Sequence, residues 1–245
     1  MKSLIRNCLH GSDIFITEEY DHADKTLAFY KSSSRQKGIG SLRKELNGFQ
    51  WYKEQLENNI EISIENETPF YLKLKSKFIE GNTYPYIDGF SKNKVHFPSI
   101  IDHYCCIWLG SKSKNELFNL HGDFTIENII FHDSLPIVID WEHFCYSICP
   151  LGFDGLNLLF DQLWYESDEK RVSQSIIEEL AQLILILRER GALAPCFWDS
   201  PLKKMKNFIQ ENLCIWNGQE SKLPVLKFTN KEISIIDTIL GKVLN

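Results

Sequence analysis

The chain has 245 residues and a formal net charge of −6, from 33 Asp and Glu against 27 Lys and Arg. Hydrophobic residues make up 43% and charged residues 24%, a globular balance that excludes wholesale disorder and suits one large domain or two small lobes. The acidity argues against nucleic acid or an anionic membrane surface as the main partner, because either rewards a basic face.

The N-terminal third reads as strands around one helix. Residues 1–7 lack the apolar run and small-residue cleavage site of a signal peptide. Residues 12–17 and 26–30 are short and rich in β-formers. The polar stretch 32–40 then leads into a helix, with Ser41 as N-cap and Leu42, Leu46, Phe49 and Leu56 on one face. Strands follow at 60–64 and 70–79; the second alternates apolar and basic residues as a half-exposed strand should. Glu80-Gly81-Asn82 breaks it and marks a seam.

The remainder is mainly helical. Residues 100–109 suit a buried helix, and 173–190 form the clearest one, with Ser175 and Glu178 as a capping box and Gly191 as the stop. Ser200-Pro201 starts another that Asn217-Gly218 ends, and Thr229 with Glu232 repeats the capping box before a last helix. The longest aliphatic block, 183–187, falls far short of the roughly 20 apolar residues that cross a bilayer. Seven cysteines (Cys8, Cys105, Cys106, Cys145, Cys149, Cys196, Cys214), without a CxxC framework, read as free thiols in a reducing, cytoplasmic compartment. Cys145 and Cys149 have no second pair to complete a zinc site. Strands first and helices after predict a two-part α+β protein, divided as 1–81 and 82–245.

Residues 120–142 carry the chemistry. Asp123, Asn128 and Asp140 stand out against apolar flanks, and 128–131 with 137–140 look like a hairpin turning at 132–136. That turn brings Asn128 and Asp140 together as hard oxygen ligands suited to Mg²⁺. Asp123, a few residues upstream, then faces a hydroxyl nucleophile. A metal on phosphate and a carboxylate that orients the acceptor are what phosphoryl transfer requires.

His121-Gly-Asp123-x-x-x-x-Asn128, followed by Ile139-Asp140-Trp-Glu142, resembles the signature of the aminoglycoside phosphotransferase and choline kinase-like family. The resemblance implies a protein-kinase-like fold with a small β-rich N-lobe and a larger helical C-lobe, and an ATP- and Mg²⁺-dependent small-molecule kinase. It makes Asp123 the catalytic base, His121 a brace for its loop, and Asn128 and Asp140 metal ligands. Lys31, after the strand 26–30, matches the lysine that holds the nucleotide phosphates, and Glu45 its partner on the following helix. Glu80 and Gly81 match the connector whose backbone binds adenine. The glycine-rich phosphate loop is reduced to residues 9–13, where Ser12 or nearby amides remain to touch a phosphate. GTP in place of ATP would differ mainly at the connector. Asp154 matches a structural helix cap beneath the catalytic loop.

The resemblance implies a small-molecule hydroxyl compound as acceptor: choline, an amino alcohol or a sugar. Glu142 with Trp141, Phe144, Tyr146, Trp164 and Tyr165 would suit a quaternary ammonium. Asp161, Glu166, Asp168 and Glu169 would suit an aminoglycoside. The reading outside enzymology is a catalytically inactive kinase-fold protein that binds a ligand.

Overall fold

The computed structural model describes residues 2–6, 13–21, 23, 25–56, 60–111, 116–167, 173–216 and 223–244, the first stretch as backbone only. Its architecture is α+β, with a β-rich N-terminal part and a mainly helical C-terminal part.

Five antiparallel strands form the N-terminal sheet: β1 (Lys2–Arg6), β2 (Phe15–Tyr20), β3 (Thr26–Ser33), β4 (Ile62–Thr68) and β5 (Tyr71–Lys77). Their spatial order is β1-β2-β3-β5-β4. Helix α1 (Gln36–Leu56) connects β3 to β4. The sequence did not announce β1, whose existence depends on backbone pairing with β2. The remaining strands fall where expected, with ends shifted by a few residues.

The start of α1 is a correction. It begins at Gln36, and Ser41, expected at the cap, is buried inside it. Ile39 and Leu42 pack with Ile14, Leu72 and Leu74 beneath the sheet. That burial outweighs the poor helix propensity of Gly38 and Gly40. The C-terminal half of α1 leaves this small core for the large one, where Phe49, Trp51 and Tyr52 pack with Trp108, Trp141 and Phe144. One helix thus belongs to both cores. Gly48 permits this, since a Cβ there would lie 2.5 Å from the Cβ of Trp141.

After the connector come α2 (Gly89–Asn93) and α3 (Phe97–Gly110), then β6 (Leu117–Leu120), β7 (Ile129–His132), β8 (Leu135–Val138) and β9 (Cys145–Pro150). β7 and β8 are the expected hairpin, with Ile130 opposite Ile137. β6 and β9 form a second antiparallel pair that the sequence did not suggest. Helices α4 (Phe153–Ser167), α5 (Gln174–Glu189), α6 (Pro201–Glu211), α7 (Pro224–Lys227) and α8 (Asn230–Leu244) complete the chain.

The capping box expected at Ser175 lies elsewhere: Ser173 caps α5, its Oγ accepting from Ile176 N at 3.3 Å. The second box holds, with Glu232 N donating to Thr229 Oγ1 and Thr229 N to Glu232 Oε2. α6 stops at Glu211, followed by a 3-10 turn, Leu213–Trp216; the expected stop at Asn217-Gly218 lies outside the described residues. Six cysteines are free thiols, and Cys8 lies outside the described residues. Among the described residues no helix is long and apolar enough to cross a membrane.

Candidate active site

The loop after β6 is fixed by buried hydrogen bonds from several elements. Asp154, in the first turn of α4, accepts from His121 N at 2.8 Å and Gly122 N at 3.1 Å. Burial pushes its carboxyl up to about 7, against the pull of these two amides. Gly122 has φ +85°, and a Cβ there would meet the Cβ of His143 at 2.7 Å, so only glycine fits the turn. Its carbonyl accepts from Trp216 Nε1 at 2.7 Å.

The tautomer of His121 follows from its partners. Asp123 N donates to Nδ1 at 3.2 Å, so Nε2 carries the proton and donates to the Ile139 carbonyl at 3.0 Å. Burial lowers its pKa to about 4, which keeps the ring neutral. His121 therefore spans from the backbone of Asp123 to the residue before Asp140.

Asn128 ends a 3-10 turn, Ile126–Asn128. Its amide nitrogen donates to Asp123 O at 2.8 Å and to Asp123 Oδ2 at 3.0 Å. Burial pushes the Asp123 carboxyl up to about 7, helped by the negative charges of Asp140 and Asp161 and opposed by the Asn128 hydrogen bond. Asp140 follows β8 with φ +62°, a left-handed turn that ends the strand. The next residue, Trp141, is fully buried against His121, ring centroids 4.3 Å apart.

Lys31 reaches this loop from β3. Its Nζ lies 2.8 Å from Glu45 Oε1 and 2.7 Å from Asp140 Oδ1. The Lys31 and Glu45 side chains are 21% and 4% exposed, so this is a partly desolvated pair rather than a surface one. Burial alone would lower the Lys31 pKa, but Asp140 and Glu45 outweigh it and hold the ammonium charged. Burial raises Glu45 to about 7 against the pull of Lys31, and its Oε2 is buried without a hydrogen-bond partner. For Asp140, burial is outweighed by Lys31, leaving the carboxyl below its ordinary range.

The donor set suits a hard cation. Asn128 commits its amide nitrogen to Asp123, leaving Oδ1; Asp140 commits Oδ1 to Lys31, leaving Oδ2. Two such oxygens fit Mg²⁺, which takes its other ligands from water and phosphate. No cluster of three or more His, Cys, Asp or Glu side chains is arranged to hold a metal among the described residues.

The connector is tied to the hairpin. His132 Nδ1 donates to the Glu80 carbonyl at 2.6 Å, and Asn82 exchanges two backbone hydrogen bonds with Phe131. Ser12 lies outside the described residues.

The aromatic residues suggested for a cage fall into separate groups: Trp141, Phe144 and Tyr146 are in successive ring contact, away from the Trp164 and Tyr165 pairs. Trp141 and Phe144 pack around Trp51 in the core, Trp164 packs against Phe228, and Tyr146 is 59% exposed. Tyr165 packs against Tyr86, ring centroids 4.3 Å apart and planes tilted by 57°. Glu166 accepts from Ser91 N and Oγ, a local structural role. Asp168 and Glu169 lie outside the described residues. Asp161 is buried on α4, close enough for its charge to raise both Asp123 and Tyr165. Glu127, which accepts from the Tyr86 backbone, in turn raises Asp161. Glu127 carried no signal in the sequence beyond its place inside the motif.

No family model and no curated protein matches the chain. Among solved structures, it is similar to one described as a streptomycin–ATP–APH(2")-IIa ternary complex. The two are 11% identical over 94% of this chain and 92% of that chain, with a TM-score of 0.49.

Proposed function

We propose that the protein is a phosphotransferase of the aminoglycoside phosphotransferase and choline kinase-like family, moving the γ-phosphate of ATP to a hydroxyl of a small molecule. The observation that carries this is the meeting of Lys31, Glu45 and Asp140 beside Asp123 and Asn128. A cation from the sheet, hard oxygens from the hairpin and a carboxylate on a braced loop are what phosphoryl transfer uses.

Residues 1–81 form the nucleotide-binding lobe and 82–245 the catalytic and acceptor lobe, with the cytoplasm as the compartment. Lys31 holds the nucleotide phosphates, positioned by Glu45. Backbone groups around Glu80 and Gly81 receive the base, and by the resemblance Ser12 is the residue of the reduced phosphate loop. GTP would use the same residues. Asn128 Oδ1 and Asp140 Oδ2 would hold Mg²⁺, which would supply charge neutralisation at the phosphates. Asp123 orients the acceptor hydroxyl and takes its proton as the oxygen bonds to the γ-phosphorus; the bridging P–O bond breaks and ADP leaves. His121 holds the loop.

Asp161 and Glu127, beside the Tyr86–Tyr165 pair, support an amine-bearing alcohol as acceptor. Lys227 offsets part of the charge on Asp161, and the aromatic faces add affinity for a cation. The test follows ATP consumption with Mg²⁺ across amino alcohols, choline and sugars, with Asp123→Asn as the blank. Acceptor-dependent consumption lost in the blank is expected. Nucleotide binding without consumption under any acceptor would instead identify an inactive binding protein.

A further inference from the structure

The 3-10 turn Leu213–Trp216 touches both halves of the site through adjacent residues. Lys44, beside Glu45 on α1, donates its Nζ to the Ile215 carbonyl at 3.1 Å. Trp216 donates its Nε1 to the Gly122 carbonyl at 2.7 Å. Ile215 and Trp216 are both buried. The turn is anchored from behind as well: Trp216 lies near Phe153, which also packs on Phe208 of α6 and directly precedes Asp154.

We infer that this turn is a strut that sets α1 and the catalytic loop in register, with Trp216 and Lys44 as positioning residues. Gly122 sits between His121 and Asp123, so the direction of its carbonyl determines how the Asp123 peptide is presented. Glu45 follows Lys44 on the helix, so the depth at which α1 seats determines where Lys31 is held. One rigid turn gripping both removes their relative freedom, and a misplacement of about 1 Å can cost about 100-fold in rate. The strut's catalytic consequence rests on the phosphotransferase reading; its mechanical part does not.

Trp216→Phe keeps an aromatic ring but removes the five-membered part of the indole with its N–H, so it deletes the hydrogen bond together with some packing against Phe153. It should lower kcat by about 10–100-fold while leaving the nucleotide KM within about twofold, because the loop and not the nucleotide loses its support. Lys44→Met should weaken nucleotide binding several-fold, with recovery in Lys44→Arg. The double variant should lose less than the product of the two single losses, since both act through one turn. Wild-type kcat in a folded Trp216→Phe protein, or strictly multiplicative losses, would overturn the inference. Amide hydrogen exchange decides the mechanical part even if the wild-type protein turns over no nucleotide. Trp216→Phe should speed exchange across 121–124 and leave α8 unchanged, whereas unchanged exchange across 121–124 would remove the strut.

Discussion

The loop 121–128 and the sheet position that carries Lys31 are held in opposite ways. The loop is set by buried hydrogen bonds from α4, the 213–216 turn and its own side chains. Such bonds are costly to break, because each leaves a buried donor or acceptor unpaired. Lys31 is held by charge, between two carboxylates of which Asp140 is 34% exposed. The Lys31–Asp140 contact is the more accessible of the two, so it is the one an incoming anion can reach. The difference separates a part that must be in place before substrate arrives from a part that is completed by it. On the proposed function Asp123 belongs to the first and the Lys31–Asp140 contact to the second, where a nucleotide phosphate would take up the ammonium.

The largest expected effect tests the preset part. Asp123→Asn should reduce kcat by about 10²–10⁴-fold, the usual contribution of a positioned base. Nucleotide affinity should stay near the wild-type value, because Asp123 does not touch Lys31. Steady-state kinetics with the best acceptor checks this; a variant with unchanged kcat would remove Asp123 from the chemistry.

Asp154→Ala tests what holds the loop. It strips two buried amides of their acceptor, which should cost about 2–5 kcal/mol of stability. Chemical denaturation measures it, and a wild-type midpoint would show that the cap does not support the loop.

The smallest effect concerns Asp161 and sharpens the contrast between stability and use. Burial holds its carboxyl up at about 7. The unfolded chain releases this proton near pH 4, so between about 4 and 7 the folded state binds more protons, and stability falls as pH rises through that window. Asp161→Asn should flatten the fall between pH 5 and pH 8 by about 1–2 kcal/mol, since relaxation around a buried charge absorbs part of its cost. The same variant should raise KM for amine-bearing acceptors. An identical fall in both proteins would show that Asp161 is not the group concerned.

Much of the site was legible because its parts are close in the chain. Asp123, Asn128 and Asp140 lie on one loop and one hairpin, where spacing alone suggests their meeting. Lys31 and Glu45 could be named from order, a strand and then a helix, although Glu45 lies deeper in α1 than Ser41 as a cap implied. Trp216 and Lys44 could not. Their partners stand 94 and 171 positions away in the chain, and a lone Trp or Lys carries no local pattern. Trp141 and Phe144, two of the suggested aromatic residues, belong to the core, as large aromatic residues near a motif usually do. Strands β6 and β9 were missed because each is stabilised by a partner distant in sequence, and β1 because only its pairing with the next strand, β2, marks it.

The most direct measurement is a calorimetric titration of ATP with Mg²⁺ into the wild-type, Asp123→Asn and Asp140→Ala proteins. The proposed function predicts Mg²⁺-dependent binding that Asp123→Asn retains and Asp140→Ala loses, since Asp140 would hold the metal and also contacts Lys31. Binding retained in Asp140→Ala, or no Mg²⁺-dependent nucleotide binding by the wild-type protein, would contradict it.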